Sequence, residues 1–335
     1  MAFKKDLARQ GVRRLNENIW LLSPPVVLPF GSRFPGVNII NQRKIAQSIK
    51  DAMQELGFKR SILWTYLHTS CHLMGLLGED FLIYDCVDEH SAYEGFNAPL
   101  VKNMERKLLQ RCDLVFCTAR GLYESKQAHC KEIFLSPNAA DIDHFRQADS
   151  IETPVAEELI DLPHPILGFV GAIKEWIDLD LIGEVAQSFP DGSVVMVGPV
   201  GANIDISSLQ GRSNVHFLGH RDRQFLPRYL KGFDVCLNPF RENELTSTVS
   251  PLKFYEYLAS GRPIASVPMP EIMNFSELVE FGGGPEGFTA AISRALKDTP
   301  QKKEARLQKA LENSWESRAE FMMEQIEKSY KQKMC

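Results

Sequence analysis

The chain has 335 residues, 44% of them hydrophobic, a formal net charge of -5 and a pI near 6.0, which suits two ordinary cores and provides no basic face for a polynucleotide. The seven cysteines form no C-x-x-C pair and no zinc-like spacing with histidine, so they read as reduced thiols of a cytoplasmic protein. No apolar run approaches membrane-span length, and the basic start is not followed by a signal-peptide core.

In chain order, residues 1–15 read as a helix with Phe3, Leu7 and Leu15 among Lys4, Lys5, Arg9, Arg13 and Arg14. It has two readings, a peripheral anchor on anionic membrane or a solvated helix. Strands are expected at Ile19 to Ser23, Ser61 to Tyr66, Phe81 to Cys86, Leu114 to Thr118 and Ile133 to Leu135, with helical periodicity over Asn41 to Leu56 and Leu100 to Arg111. An acidic, proline-punctuated stretch over 147–165 reads as a linker between a first domain, 1–146, and a second, 166–314. The second series of strands is Ile166 to Val170, Val194 to Val197, Val215 to Leu218, Val235 to Asn238 and Ile264 to Val267, and Leu307 to Lys333 forms one or two terminal helices. Alternation of strands and helices over nearly the whole length favours an α/β fold with parallel sheets covered on both faces.

The most informative stretch is Ser250-Pro-Leu-Lys-Phe-Tyr-Glu-Tyr-Leu-Ala-Ser-Gly-Arg-Pro263. Ser250 reads as a helix cap, Pro251 as a first-turn proline, and Gly261 with Pro263 as the stop. The opening turn, with Leu252 and Lys253, can hold a phosphate through its amide groups and a cation. Phe254, Tyr257 and Leu258 form the buried stripe, and Glu256, one turn beyond Leu252 and Lys253, can accept two ribose hydroxyls. Gly168-Phe-Val-Gly-Ala-Ile173 ends the first strand of the second domain, where Gly171 lets backbone approach a diphosphate. The third glycine of a dinucleotide fingerprint is missing, and the next strand ends at Val197-Gly-Pro199 without an acid, so a nicotinamide cofactor is disfavoured.

Asp234-Val-Cys-Leu-Asn-Pro-Phe240 followed by Pro251 to Pro263 resembles the C-terminal half of retaining group 1, family-4-like GT-B glycosyltransferases of bacterial polysaccharide synthesis. The resemblance implies two Rossmann-like, doubly wound domains facing a cleft. It also implies that the chain lacks the opening β-α-β unit of the first domain and ends in a helix, 315–335, packed back on that domain, with Trp315 as an anchor or a core residue. The family's ribose-holding Glu, the second of an E-x7-E pattern, corresponds to Glu256. The first falls at Thr248, a departure for which Glu242 or Glu244 could substitute. Gly171, Lys174, Gly219 and His220 correspond to positions bordering the donor phosphates and base, and Lys174 departs from the commoner wording in the following Trp176-Ile-Asp178.

Tyr84-Asp-Cys-Val-Asp-Glu-His-Ser-Ala-Tyr-Glu94 places Asp85, Asp88, Glu89 and His90 just beyond the end of a strand, where ligands of α/β sheets gather. Similar segments in the family face the acceptor, so Asp88 is the candidate acceptor contact or base, with Asp85, also a capping residue, and His90 as further catalytic candidates. The alternative is a loop whose acids only fix backbone amides. Asp141-Ile-Asp143 and Asp178-Leu-Asp180 match a D-x-D pair in letters, but one sits at a domain exit and the other opens a helix, so no metal is expected. The expected reaction moves a sugar from a nucleoside-diphosphate sugar to a saccharide or lipid-linked acceptor, with no separate cofactor. A nucleotide-sugar epimerase and a non-catalytic nucleotide-sugar-binding partner are the alternatives.

Overall fold

The computed structural model describes residues 11–93, 95–243 and 246–335. Glu244, and the part of the basic N-terminal segment before Gly11, lie outside the described residues. The chain divides into two compact units, one of residues 1–136 with 325–335 and the other of 137–324.

The first unit carries β1 (Gly11–Arg14) and β2 (Trp20–Ser23), then β3 (Ile62–Thr65), β4 (Phe81–Cys86), β5 (Leu114–Cys117) and β6 (Ile133–Leu135). β3 to β6 form a parallel sheet in sequence order, whereas β1 and β2 form a separate antiparallel pair. Two expectations are corrected there. Residues 11–14 are strand rather than helix, because Val12 and Arg13 pair with Leu22 and Leu21, and β2 stands outside the parallel sheet. Helices Pro35–Glu55 and Ala98–Arg111 connect the strands. The core is built on Tyr84, Met104, Leu108, Val115 and Leu122, none more than 2% exposed. Residues 325–335 join this unit through Tyr330 against Phe81, Ser329 on Glu132 and Lys333 on Asp113.

The second unit carries β7 (Ile166–Val170), β8 (Ser193–Val197), β9 (Val215–Gly219), β10 (Val235–Asn238), β11 (Ile264–Ser266) and β12 (Glu280–Phe281), all parallel. Their order across the sheet is β9-β8-β7-β10-β11-β12. That is the doubly wound order in which the chain reverses direction beside its first strand, opening a crevice outside the carboxyl ends of β7 and β10. β7, β8 and β10 are buried end to end, as continuous apolar runs in a covered parallel sheet should be.

The stretch 147–165 is part of this second unit and not a free linker. Leu159, in the short helix Glu157–Ile160, is 1% exposed, Ala156 donates its amide to the Arg228 carbonyl, and Tyr229 donates its hydroxyl to Glu158. The terminal region folds as helices Pro300–Leu311 and Trp315–Met334. Trp315 is 44% exposed, so it is not a core residue.

Candidate functional site

The helix Leu252–Ser260 is the centre of the second unit's polar site. Phe254, Tyr257 and Leu258 are wholly buried, each such side chain contributing about 1.5–3 kcal/mol relative to exposure. Gly261, at φ 69°, ends the helix in the left-handed conformation that glycine alone adopts without strain. The start differs from the expected cap. Pro251 itself is the capping residue, and no side chain caps the first turn. Ser250 instead accepts the Asn138 amide on its Oγ (3.1 Å), accepts the Asn138 side-chain amide on its carbonyl (2.7 Å) and meets the Tyr255 hydroxyl at 3.3 Å. Buried and fully engaged, Ser250 positions the turn and does not present its hydroxyl to a ligand. Leu252, by contrast, is partly exposed at the helix start.

Glu256 is 6% exposed and ion-paired with Lys253 at 2.8 Å. Burial raises its pKa, opposed by Lys253 and by the charges of Arg223 and His144. Arg223 is itself held on Asp141 at 2.8 Å, and the His144 Nε2 contacts the Arg223 carbonyl at 2.9 Å. Asp141 also caps the turn Ile142–Arg146 by accepting the His144 amide. Lys253 is on the same helix, Asp141 and His144 come from one distant segment and Arg223 from another, and no sequence signal joined those two segments to Glu256.

Tyr257 ties this helix to the crevice, since the Val170 amide donates to its hydroxyl at 2.9 Å one residue before Gly171. The ends of three strands are laced together there. Gly171 donates to Val197, Gly198 donates to Gly219, and Ile173 donates to Pro199. Gly198 approaches so closely that a Cβ there would lie 1.9 Å from the Gly171 carbonyl oxygen. Its place in Val197-Gly-Pro199 was the available signal, legible only as a strand stop. Lys174 is exposed, its ammonium 5.0 Å from the Trp176 ring centre. His220 is exposed, whereas Arg221 is engaged by Tyr229 and Glu158.

The loops after β7 and β10 cross, with Asp178 donating to the Pro239 carbonyl and Arg241 to that of Trp176. Beside them opens a hollow of about 570 Å³ lined by Asp178, Phe240, Arg241, Glu242, Asn243 and Gly284, among others. Glu242 is exposed there and lies close to Gly283, while Thr248 sits in the turn Thr246–Thr248. Asp178 caps the helix Leu179–Ser188 by accepting the Leu181 amide.

In the first unit, Asp85 lies inside β4 and is not a cap; it accepts the Trp64 indole N–H at 3.2 Å, and burial pushes its pKa up to about 6. The capping role belongs to Glu89, which accepts the Ser91 amide. Asp88 accepts the Tyr93 hydroxyl at 3.1 Å, and burial raises its pKa against that bond and the His90 charge. Beneath this loop Lys126, 4% exposed, reaches Glu89 at 2.7 Å and Glu105 at 2.9 Å, and Glu105 also accepts the Tyr84 hydroxyl. Sequence reasoning missed this network, whose members lie in β4, the loop after it and two helices.

Residues 164–298, which contain both the crevice and the Glu256 helix, match the family model described as glycosyl transferases group 1. Residues 164–298 thus carry a domain of the glycosyl transferases group 1 family, in a chain of GT-B fold. The chain is similar to the Bacillus subtilis (strain 168) protein TuaH, named for a glycosyltransferase of teichuronic acid biosynthesis, at 28% identity over 257 residues, covering 71% of this chain and 64% of that protein. The match therefore spans less than two thirds of that relative's length. Among solved structures, sucrose-phosphate synthase from Thermosynechococcus elongatus aligns with a TM-score of 0.73 at 16% identity, over 95% of this chain and 85% of that one. Anabaena HepE in complex with UDP-glucose aligns at 0.64 and 15% identity, over 85% and 82%. These likenesses are of fold.

Proposed function

We propose that the protein transfers a sugar from a nucleoside-diphosphate sugar to a saccharide or lipid-linked acceptor in cell-surface polysaccharide synthesis. The observation that carries this reading is the Lys253–Glu256 pair on an uncapped helix start, tied through Tyr257 to the glycine-laced ends of β7 and β8. A pyrophosphate against that turn meets amide groups and the Lys253 ammonium, while the Glu256 carboxylate accepts the ribose hydroxyls. Lys253 then shares its charge between carboxylate and phosphate and stabilises the negative charge growing on the leaving diphosphate, which preorganised groups do without rearrangement. The complex of HepE with UDP-glucose supports UDP as the first nucleotide to test.

Calorimetry with UDP is the direct test. Glu256→Ala is expected to weaken UDP binding by about 1.5–3 kcal/mol, the range for a hydrogen bond to a charged group. Unchanged affinity removes Glu256 from the ribose role. Incubation with labelled UDP-sugars then separates the chemistries: label moved to a saccharide or lipid supports transfer, whereas an epimerised sugar nucleotide, or binding without any turnover, overturns it.

A further inference from the structure

Three side chains of one short segment close on a single arginine. Asp141 accepts from the Arg223 guanidinium at 2.8 Å, the His144 ring meets the Arg223 carbonyl at 2.9 Å, and the guanidinium lies 5.7 Å from the centre of the Phe145 ring. A carbonyl only accepts, so His144 donates from Nε2. The segment is itself fixed. Asp141 accepts the His144 amide, Phe145 is 1% exposed, and Asn138 holds Ser250, just before the Glu256 helix, through two hydrogen bonds. All of these residues belong to the second unit.

Such fixing exceeds what a surface role needs. The Arg223 side chain is 59% exposed, where an ion pair adds little to stability and holding a long side chain in one rotamer has an entropy cost. Among the described residues Asp141 is the one acceptor that the guanidinium meets, and it engages Nη2, so the Nε and Nη1 hydrogens stay available. Arg221, two positions earlier, is by contrast consumed by Tyr229 and Glu158. Arg223 opens the turn Arg223–Phe225 just beyond the end of β9, and its charge, like that of Lys253, favours the ionised form of Glu256.

We propose that Arg223 is a specificity-determining residue that selects a nucleotide whose base carries exposed carbonyl oxygens, such as uracil or guanine, over adenine. This role rests on the proposed donor site: a nucleotide with its phosphates at Lys253 and its ribose at Glu256 extends its base toward the segments that supply Arg223 and His144. A guanidinium has donors only and presents them in a rigid planar fork, which matches carbonyl oxygens and not an amino group. Asp141, His144 and Phe145 are positioning residues that hold the fork ready, so that little rotamer freedom is lost when the nucleotide binds.

Calorimetry on the full-length protein with UDP, GDP and ADP tests the assignment. UDP or GDP should bind about tenfold or more tightly than ADP. Arg223→Gln and Arg223→Lys should each remove most of that margin at unchanged ADP affinity, with melting temperatures within a few degrees of the wild type. Lysine keeps the charge beside Asp141 and Glu256, so a loss there reports the fork and not the charge. Asp141→Asn, which keeps an oxygen for the His144 amide and loosens the guanidinium, should narrow the margin in the same direction, and it answers the question if an arginine variant fails to fold. ADP binding as tightly as UDP and GDP, full affinity in Arg223→Lys, an equal loss for ADP in the arginine variants, or an unchanged margin in Asp141→Asn overturns the role. A wild type that binds no nucleoside diphosphate removes the donor site itself. Loss of UDP and ADP alike in Glu256→Ala, with both unchanged in Arg223→Lys, removes this inference and leaves the donor site standing.

Discussion

Asp85 shows how one side chain's surroundings set its chemistry. Burial raises its pKa to about 6 from 3.8, so the folded protein holds that proton more tightly than the unfolded chain across this window. Native protein binding more protons means that stability falls as pH rises from about 4 to 6 and stays lower above it. Asp85→Asn removes the charge and keeps an oxygen for the Trp64 indole. Its melting temperature is therefore expected above wild type near pH 7.5, with the difference shrinking near pH 5 and vanishing below about pH 4. A difference independent of pH would show that Asp85 does not titrate in this window. At the same scale, the letters named Glu256, Lys253 and Asp88, while their partners Arg223, His144 and Tyr93 became visible only in the fold.

Among elements, the loop after β4 is held from below by an ammonium between two carboxylates. Lys126 comes from the helix Arg120–Lys126, Glu105 from Ala98–Arg111 and Glu89 from the loop itself. Removing one member of a buried ion group leaves the others uncompensated, which costs about 3–5 kcal/mol. Lys126→Met is accordingly expected to lose stability of that order in urea unfolding; a loss under about 1 kcal/mol would mean that the loop is held by other contacts. Strand positions were legible from local pattern, with Phe81–Cys86, Ile133–Leu135, Ile166–Val170 and Val235–Asn238 falling where the apolar runs begin and end. The hairpin of β1 and β2 was not, since residues 11–14 carry basic and apolar residues that fit either period, and only pairing with residues 20–23 decides between them. Proline and acid content suggested a linker over 147–165, but Leu159, Ala156 and Glu158 find partners around Arg228 and Tyr229 that no local rule shows.

At the scale of the whole molecule, the proposed nucleotide site lies within the second of the two units. Hydrogen exchange with saturating UDP is expected to slow amides at residues 171–174 and 252–257, because a ligand bound only to the native state suppresses opening of the segments it contacts. Protection confined to 11–136 would move the nucleotide site out of the second unit. Among the described residues no helix is long and apolar enough to cross a membrane.

By itself the sequence determined most strands of the two parallel sheets, the glycine stop at Gly261 and the acid-bearing helix, because each depends on residues only a few positions apart. The tertiary structure alone decided that Ser250 is consumed by Asn138, 112 residues away, that Lys253 and Glu256 bond each other, and that Arg223 is held by Asp141 and His144. Hydrogen-bond partners and burial are properties of elements brought side by side, and a periodic pattern names the face that turns inward without naming what it will meet there.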